Sequence, residues 1–468
     1  MAKTAWNKLL VGYKGQVSDY GALVRNCMAM EAAGANVEQI LGNVAIAHAT
    51  PKTVGLAEQA KPYAVFTVDR FESGTYDQMD TVARLPVFVK GALMPDAHPG
   101  YAMPIGGVAG LRGAIAPNMV GVDIGCRVSL SLFLLKKGYT FASARQALED
   151  AVIKVTAFGF KTLDAVQDHP VMHDTAWDEI PFLRNLKERA QSQLGSSGGG
   201  NHFVDLVKVV DNAGNEYLGI MTHSGSRGAG AMSAKYYSEW AVEQCKQRGV
   251  TVPKDYAYLD ANSLPGMEYW RVMNLMGEYS LACHELIIAR FYHEVADLVE
   301  KYMPGIGTTN RIAISQRGKQ AKIAETIYYF TNAHNLAWLE QVDGEWLYVH
   351  RKGATPAAAG QIGIIPGSSG SNSYVVIGQG NEKSLGSASH GAGRPRSRTA
   401  SKAQHDNEAW LAHMEKLDIH YHGVAPDETV FAYKNIESVM NGQRELVQKW
   451  MTMQPFFVAM GGHSDDGD

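Results

Sequence analysis

The chain has 468 residues, 46% hydrophobic and 19% charged, with a formal net charge of -4. It is too long for one ordinary small core, and the charge balance excludes a global basic field, so any nucleic-acid site must be a local patch. No apolar run is long enough to span a bilayer and the start lacks the apolar core of a signal peptide, so a cytoplasmic protein with no membrane partner is expected.

In chain order, Val44–Ala47 and Ala64–Val68 read as strands or short buried pieces, and periodicity does not choose between them. From Leu93 to Cys126 apolar fragments alternate with Gly and Pro, which predicts short strands joined by tight, shaped loops. Phe141 to Phe158 carries Ala144, Leu148, Val152 and Val155 at helical steps, and Ile180 to Leu194 reads as a second helix stopped by a glycine-rich run. Strands are predicted after His202 as far as Val210 and from Tyr217 to Thr222, then helices over Ala231–Arg248 and Gly266–Met303. In the last of these Met276, Tyr279, Cys283, Ile287, Phe291, Val295 and Leu298 form one stripe, so Cys283 is assigned to the core. A His-rich helical segment to about His422, a final helix from Ile436 to Met451 and a disordered acidic tail, Asp465–Asp468, complete the expectation.

Four scattered cysteines without a CxxC pair argue against disulfides, so each is judged by its neighbours. Asp123 and Cys126 stand three apart around a glycine, where a tight turn can aim a carboxylate and a thiolate at one point. A surface Asp beside a small buried Cys is the bland alternative. His202 follows three glycines and His223 ends a strand, and each alone reads equally as an ordinary satisfied histidine; His334, in Ala-His-Asn, is weaker still and reads more readily as an ordinary helix histidine. Together the five make a mixed N/O/S set suited to Mn²⁺, Fe²⁺, Zn²⁺ or Co²⁺, whereas Mg²⁺ disfavours a thiolate. Arg227, Arg351, Lys352, Arg394, Arg396 and Arg398 add phosphate-binding capacity. His390 stands among small residues, with Gly391 and Gly393 after it. That stretch is either a histidine doing chemistry on a phosphate or a glycine-rich turn with a solvated basic tail. Metal and phosphate clamp together imply phosphoryl transfer or hydrolysis, and no GxxxxGK[ST] loop is present.

Ten motifs in order carry a resemblance: Pro95-Asp96-Ala97-His98-Pro99-Gly100, Pro104-Ile105-Gly106-Gly107-Val108-Ala109, Val122-Asp123-Ile124-Gly125-Cys126, Gly199-Gly200-Asn201-His202-Phe203, Gly225-Ser226-Arg227-Gly228, His334-Asn335, Arg351-Lys352-Gly353-Ala354-Thr355, Ile365-Pro366-Gly367-Ser368, Ser373-Tyr374-Val375 and His390-Gly391-Ala392-Gly393-Arg394. From about Leu93 to Ala459 the chain resembles the RtcB-type RNA ligases, which join a 2′,3′-cyclic-phosphate or 3′-phosphate RNA end to a 5′-hydroxyl end in tRNA splicing or RNA repair. The resemblance implies an α/β fold with mixed sheets: one large domain over residues 1–460, most divergent in 1–90, with a deep metal- and nucleotide-binding cleft and a tail at 461–468. It implies two Mn²⁺ ions held by Asp123, Cys126, His202, His223 and His334, with Cys126 bridging, and GTP as donor. His390 is the implied nucleophile that takes GMP, Asp96 the carboxylate that orients its ring, and Arg227 and Arg394 groups that act on phosphate. Asn201, His202, Phe203, Val204, Asp205, His334, Asn335, Pro366, Gly367, Ser368, Ser369, Ser373, His390, Gly391, Ala392, Gly393 and Tyr433 match the nucleotide pocket.

This chain departs from the family pattern around the base. Asp205 replaces the usual Glu that reads the guanine edge, Met460 stands where a lysine is expected, and Ser369 replaces a Met. Cys283-His284 replaces Asn-Arg in the long helix. A ligase of altered nucleotide specificity is therefore an alternative, as is a metal-dependent phosphoesterase acting on RNA ends. A non-catalytic RNA-binding module needs neither Cys126 nor Asp96 in position. The oligomeric state and any need for an activating protein stay open.

Overall fold

The computed structural model of the chain describes residues 3–14, 20–32, 54–134, 142–298, 321–324 and 327–462, together with positions 37, 38, 40, 41 and 44. Two β-sheets carry the functional residues. The strands are β1 (Ala64–Val65), β2 (Phe88–His98), β3 (Ile105–Leu111), β4 (Arg127–Leu134), β5 (Phe203–Asp211), β6 (Glu216–Ser224), β7 (Ala321–Ala324), β8 (Ile327–Ala333), β9 (Asn335–Val342), β10 (Glu345–Lys352), β11 (Ile362–Ile365), β12 (Ser373–Gly378), β13 (His420–His422) and β14 (Val447–Met460). One sheet runs β9-β10-β3-β2-β1, antiparallel except for the β1–β2 pair. The larger runs β7-β8-β4-β6-β5-β14-β12-β11, antiparallel throughout, with β13 added in parallel beside β14. The α/β character with mixed sheets matches the sequence expectation.

His334 alone separates β8, in the large sheet, from β9, in the other. Cys126 immediately precedes β4, and its carbonyl accepts the His334 amide at 2.9 Å. The two sheets are thus tied together where ligand-type residues gather.

Two long helices cover this junction, α1 (Arg227–Gln247) and α2 (Leu264–Glu294). Ser263 caps α2 by accepting the Gly266 amide at 3.1 Å, and proline occupies the first turn, where no amide partner is needed. The predicted stripe is buried from Met276 to Val295, just past the end of α2, and Leu298 is half-buried. Its first half packs with α1 and the smaller sheet through Val272, Met276 and Tyr279. The second half packs Ile287, Ile288 and Phe291 on Val204, Leu206, Leu218 and Ile220 of the large sheet. Each such side chain contributes about 1.5–3 kcal/mol by leaving water, so α2 fixes both sheets at once. Cys283 is core as assigned, its sulfur accepting the Gly195 amide at 3.4 Å.

Several boundaries differ from the sequence expectation. The helix expected over Phe141–Phe158 is shorter, Arg145–Val155 after a 3-10 turn. The one expected over Ile180–Leu194 is two pieces, Pro181–Arg184 and Lys187–Gln193, because the chain leaves helical bonding at Asn185 and Leu186. Strand β6 continues through His223, and α1 begins at Arg227, earlier than expected. The regular helix of α2 ends at Glu294; the remainder of its expected span, to Met303, lies partly outside the described residues, as do Ala45–Ala47 and the tail Asp465–Asp468. The His-rich stretch forms helices Arg398–Ala403 and Asn407–Lys416 and then strand β13, not one helical segment. The final helix is a correction of type: it stops at Asn441, and Val447 to Met460 is strand β14, hydrogen-bonded to β12 and β5. Partners on two sides outweigh local periodicity, and Pro455, which lacks an amide donor, falls at a register shift.

Candidate active site

A cavity of about 1260 Å³ opens between the sheets, lined by residues of β5, β6 and β14, by the ends of β2, β9 and β10, by Cys126 just before β4 and His334 just after β8, and by the loop holding His390. At its floor stand Asp123, Cys126, His202, His223 and His334. Donor atoms of Cys126, His223 and His334 lie within 4.8 Å of one another, and so do those of Asp123, Cys126 and His202. Cys126 Sγ is 3.1 Å from His223 Nε2 and 3.6 Å from His202 Nε2, so the thiol is common to both groups. His202 Nε2 is 3.0 Å from Asp123 Oδ2, and His223 Nε2 is 3.4 Å from His334 Nε2.

Backbone carbonyls fix two of these imidazoles. His202 Nδ1 donates to Ser197 O and His223 Nδ1 to Asn201 O, each at 3.0 Å. A carbonyl only accepts, so the proton sits on Nδ1 and the Nε2 lone pair points into the cluster. Burial, followed by neighbouring imidazoles, pushes His223 and His334 well below the usual range, which keeps them neutral. Burial works against the Asp123 carboxylate, yet His202, Cys126 and Arg227 hold it down at about 2. Burial and then Asp123 push the Cys126 thiol up. A divalent cation reverses that last effect, because a bound thiol gives up its proton. Converging lone pairs, one carboxylate and a shared sulfur thus fit a bound metal. Gly225 is obligatory beside it, since a Cβ there would overlap the Asp123 carboxylate.

His390 sits beside this cluster, its ring centroid 5.1 Å from that of His334. Asp96, fully buried on β2, receives His390 Nδ1 at 2.6 Å on Oδ2, together with the amides of His390 at 3.1 Å and Gly391 at 3.3 Å. Burial works against the Asp96 carboxylate, but the charge and hydrogen bond of His390 and the charge of Lys434 hold it below its ordinary value. Nδ1 is therefore the protonated nitrogen, and Nε2 has no hydrogen-bond partner among the described residues. Gly353, at φ +60°, lets the backbone pass the ring: a Cβ there would stand 3.2 Å from His390 Cε1.

The cations separate into different roles. Arg227 holds a left-handed backbone, φ 56°, and its guanidinium donates to Ser196 Oγ at 3.2 Å and Gly159 O at 2.7 Å. It lines the cavity without a carboxylate in ion-pair contact among the described residues. Arg394 Nη2 is 2.5 Å from Glu428 Oε1 and 2.9 Å from the Tyr433 hydroxyl. Arg398 pairs with Glu428 at 2.6 Å and Asp427 at 3.1 Å, while Arg396 bonds to Gln404. Lys352 is buried, donates to the carbonyls of Tyr101 and Asn118, and is pushed down to about 7 by that burial. Arg351 corrects the sequence reading. It points away from the cavity, buried in a bidentate pair with Glu340 at 2.7 and 2.9 Å, and belongs to the sheet scaffold.

Of the residues matched to a nucleotide pocket, Asn201, Phe203, Asp205, Asn335, Pro366, Gly367, Ser368, Ser369, Ser373, Gly391, Ala392, Gly393 and Tyr433 all line the cavity. Val204 does not: strand alternation turns it to the opposite face, into the core beneath α2. Asn335 is engaged with the scaffold, donating to Asp123 O at 3.2 Å and accepting the Gly353 amide at 2.9 Å. Ser373 accepts the Gly367 amide at 2.8 Å, and Ser369 donates to Glu428 O at 3.0 Å. Glu428 and Asp427, the buried acids that anchor two arginines, escaped the sequence reading because no local pattern marks them. His98 escaped it too, although its motif was conspicuous; it lines the cavity as an imidazole whose Nδ1 donates to Asp96 O at 2.9 Å.

A family model and several known proteins match the chain. The family model described as tRNA-splicing ligase RtcB matches residues 78–180 and 159–461. The RNA-splicing ligase RtcB of Escherichia coli (strain K12) is 33% identical over 408 residues, covering 83% of this chain and 95% of that protein. The tRNA-splicing ligase RtcB of Thermococcus kodakarensis is 29% identical over 458 residues, covering 83% of this chain and 91% of its own. RNA-splicing ligase RtcB homolog 1 of Entamoeba histolytica is 28% identical over 432 residues, 78% of each chain.

Proposed function

The chain belongs to the RtcB family, and from that premise we propose that it is an RNA ligase of tRNA splicing or RNA repair which carries a nucleotide on His390. In this reading it joins a 2′,3′-cyclic-phosphate or 3′-phosphate RNA end to a 5′-hydroxyl end in the cytoplasm. No described helix is long and apolar enough to cross a membrane. The observation that carries the reading is the state of His390: Nδ1 tied to a buried carboxylate, Nε2 without a partner, and the ring beside the ligand cluster.

The chemistry follows from that state. Nε2 attacks the α-phosphorus of a nucleoside triphosphate, GTP in the family scheme; the P–N bond forms as the bond to pyrophosphate breaks. Asp96 keeps the Nδ1 proton in place and stabilises the positive charge that develops on the ring. An oxygen of the RNA 3′-phosphate then displaces His390 from that phosphorus, and the 5′-hydroxyl displaces the nucleoside monophosphate to form the phosphodiester. A cyclic end is first opened by water. Asp123, Cys126, His202, His223 and His334 would hold two Mn²⁺ ions, which supply neutralisation of phosphate charge when bound. Arg227 offers its guanidinium to the same phosphates.

Incubation with α-labelled GTP or ATP and Mn²⁺ tests this. The expected result is covalent label on His390, absent from His390→Ala, with ligation of RNA ends lost in the same variant. Absence of label with either nucleotide would sink the ligase mechanism. Opening of cyclic ends by His390→Ala with no ligation by wild type would favour a phosphoesterase.

A further inference from the structure

The buried stripe of α2 is interrupted by one polar turn. Ser280, Cys283 and His284 share a face and are fully buried, whereas Met276 before them and Ile287, Ile288 and Phe291 after them are apolar. Cys283-His284 is also a pair at which the sequence departs from the family pattern, and the mechanism so far uses neither residue. A polar ring buried between helix and sheet is costly unless its partners are in place. Here they lie on β6 beside His223 and on the loop that leads to His202.

His284 Nε2 donates to Ser224 O at 3.1 Å, and its Nδ1 meets the Thr222 hydroxyl. Strand residues alternate, so Thr222 and Ser224 turn to α2 while His223, between them, turns to the cavity. One ring therefore grips β6 on both sides of His223, from behind. The Ser224 hydroxyl then donates to Ser197 O at 2.6 Å, the same carbonyl that accepts His202 Nδ1 at 3.0 Å. Cys283 Sγ accepts the Gly195 amide at 3.4 Å, and Arg290 of α2 donates to the Gly195 carbonyl. Thus α2 holds both backbone groups at the start of the loop 195–201. That loop supplies the two carbonyls that orient the imidazoles, Ser197 O for His202 and Asn201 O for His223.

We propose that His284 is a positioning residue for the candidate metal ligands His202 and His223. Through Ser224 and Ser197 it sets the direction in which their Nε2 lone pairs converge, while Cys283 anchors the loop that orients both rings. The proposal rests on reading the ligand cluster as a metal site and adds a determinant of metal affinity outside it. Groups standing behind metal-bound histidines change affinity by about 10- to 100-fold. Removing the ring strands no partner, because Ser224 O keeps the Ser280 hydroxyl at 3.3 Å and the Thr222 hydroxyl keeps Ser129 O at 3.5 Å. A leucine, close to histidine in volume, therefore fills the space and removes only the brace.

The test is equilibrium Mn²⁺ binding to the full chain, read from the electron paramagnetic resonance of free Mn²⁺, together with the visible spectrum of the Co²⁺-loaded protein. His284→Leu is expected to bind Mn²⁺ about 10- to 100-fold more weakly and to shift the Co²⁺ bands, while still unfolding cooperatively. His284→Gln, whose amide can donate to Ser224 O, should recover most of the affinity. Ser224→Ala cuts the link to Ser197 and should weaken binding as well. Both changes break one connection, so the double variant should bind no more weakly than the poorer single one. Wild-type affinity and bands in His284→Leu reduce the ring to packing and overturn the proposal. Strictly additive losses in the double variant, or a His284→Gln as weak as His284→Leu, overturn it too. Should His284→Leu fail to fold, wild-type affinity in Ser224→Ala has the same force. A wild type that binds no Mn²⁺ removes the metal reading and the proposal with it, whereas the other refutations leave that reading standing.

Discussion

Asp96→Asn keeps the volume of the side chain but exchanges an acceptor for a donor where three N–H groups converge. In the wild type Oδ2 accepts His390 Nδ1 at 2.6 Å and the amides of His390 and Gly391 at 3.1 and 3.3 Å. If the Asn oxygen stays with the two amides, its NH₂ cannot also satisfy a protonated Nδ1. The ring then moves its proton to Nε2, the atom that must attack. A hydrogen bond to a charged group contributes about 1.5–3 kcal/mol, and a stranded buried donor costs about 1–3 kcal/mol more. Together these give about 3–5 kcal/mol, or roughly 10²- to 10⁴-fold in rate at about 1.4 kcal/mol per decade. An Asp-to-Asn change behind another catalytic histidine lowers the rate by about 10⁴ through the same tautomer switch. Single-turnover transfer of labelled nucleotide to His390 measures the effect, with metal content and thermal unfolding as controls, because Asp96 is not among the metal-ligand candidates. Labelling by Asp96→Asn within about fivefold of wild type would refute the tautomer argument.

Three further outcomes follow from the same geometry. Cys126→Ala removes the sulfur common to both halves of the ligand cluster, so Mn²⁺ affinity should fall by well over about tenfold, read by elemental analysis after gel filtration; unchanged stoichiometry contradicts a shared thiolate. Glu428→Gln leaves Arg394 and Arg398 without their common carboxylate in a buried site, which should cost about 3 kcal/mol, seen as a lower denaturant midpoint; an equal or higher midpoint argues that the pair is not structural. Burial pushes the folded pKa of Lys352 down to about 7 from the ordinary lysine value of 10.5, so the unfolded chain binds the extra proton between them and stability should rise with pH across that window. Lys352→Met should flatten this slope and stabilise the protein at pH 7 by on the order of 4 kcal/mol; a wild-type slope matching the variant's, in urea titrations at several pH values, rejects a neutralised lysine.

The residues that gather at the candidate site were more legible than the elements that carry them. A Cβ at Gly225 or Gly198 would overlap Asp123 or His202 and one at Gly353 would crowd His390, whereas Gly125, before Cys126, makes room for Gly277 of α2, so the close packing of the site is written partly as glycine. The misread of Val447–Met460 has the opposite cause. Leu446, Trp450 and Met451 offer helical spacing, and only the presence of β5 and β12 on either side makes a strand the better answer. Arg351 looked like a phosphate ligand because it adjoins Lys352, yet successive strand residues face opposite ways, and Glu340 waits on the neighbouring strand. Asp427 and Glu428 were invisible for the same reason: their arginines lie roughly 30 residues upstream, and a charge pair of that separation has no local period. Asp205 was visible as a shortened side chain, but that its Oδ1 has no partner is a property of three strands together.

The place of β14 also governs how the protein can be born. Its register joins Met460 to Phe203 and Thr452 to Tyr374 and Val210, so the middle of the large sheet is closed by residues that leave the ribosome roughly 250 positions after their β5 partners and roughly 80 after their β12 partners. Until then β5 and β12 each present an open edge, and the cavity lacks the wall formed by Val458 and Met460. A nascent chain in that state has the candidate metal ligands but an incomplete cavity wall, with two strands available to the wrong partner. Synthesis thus imposes its own order on the enzyme: a stalled or clipped product is prone to aggregate, and the cavity wall is the last part of the candidate site to be completed.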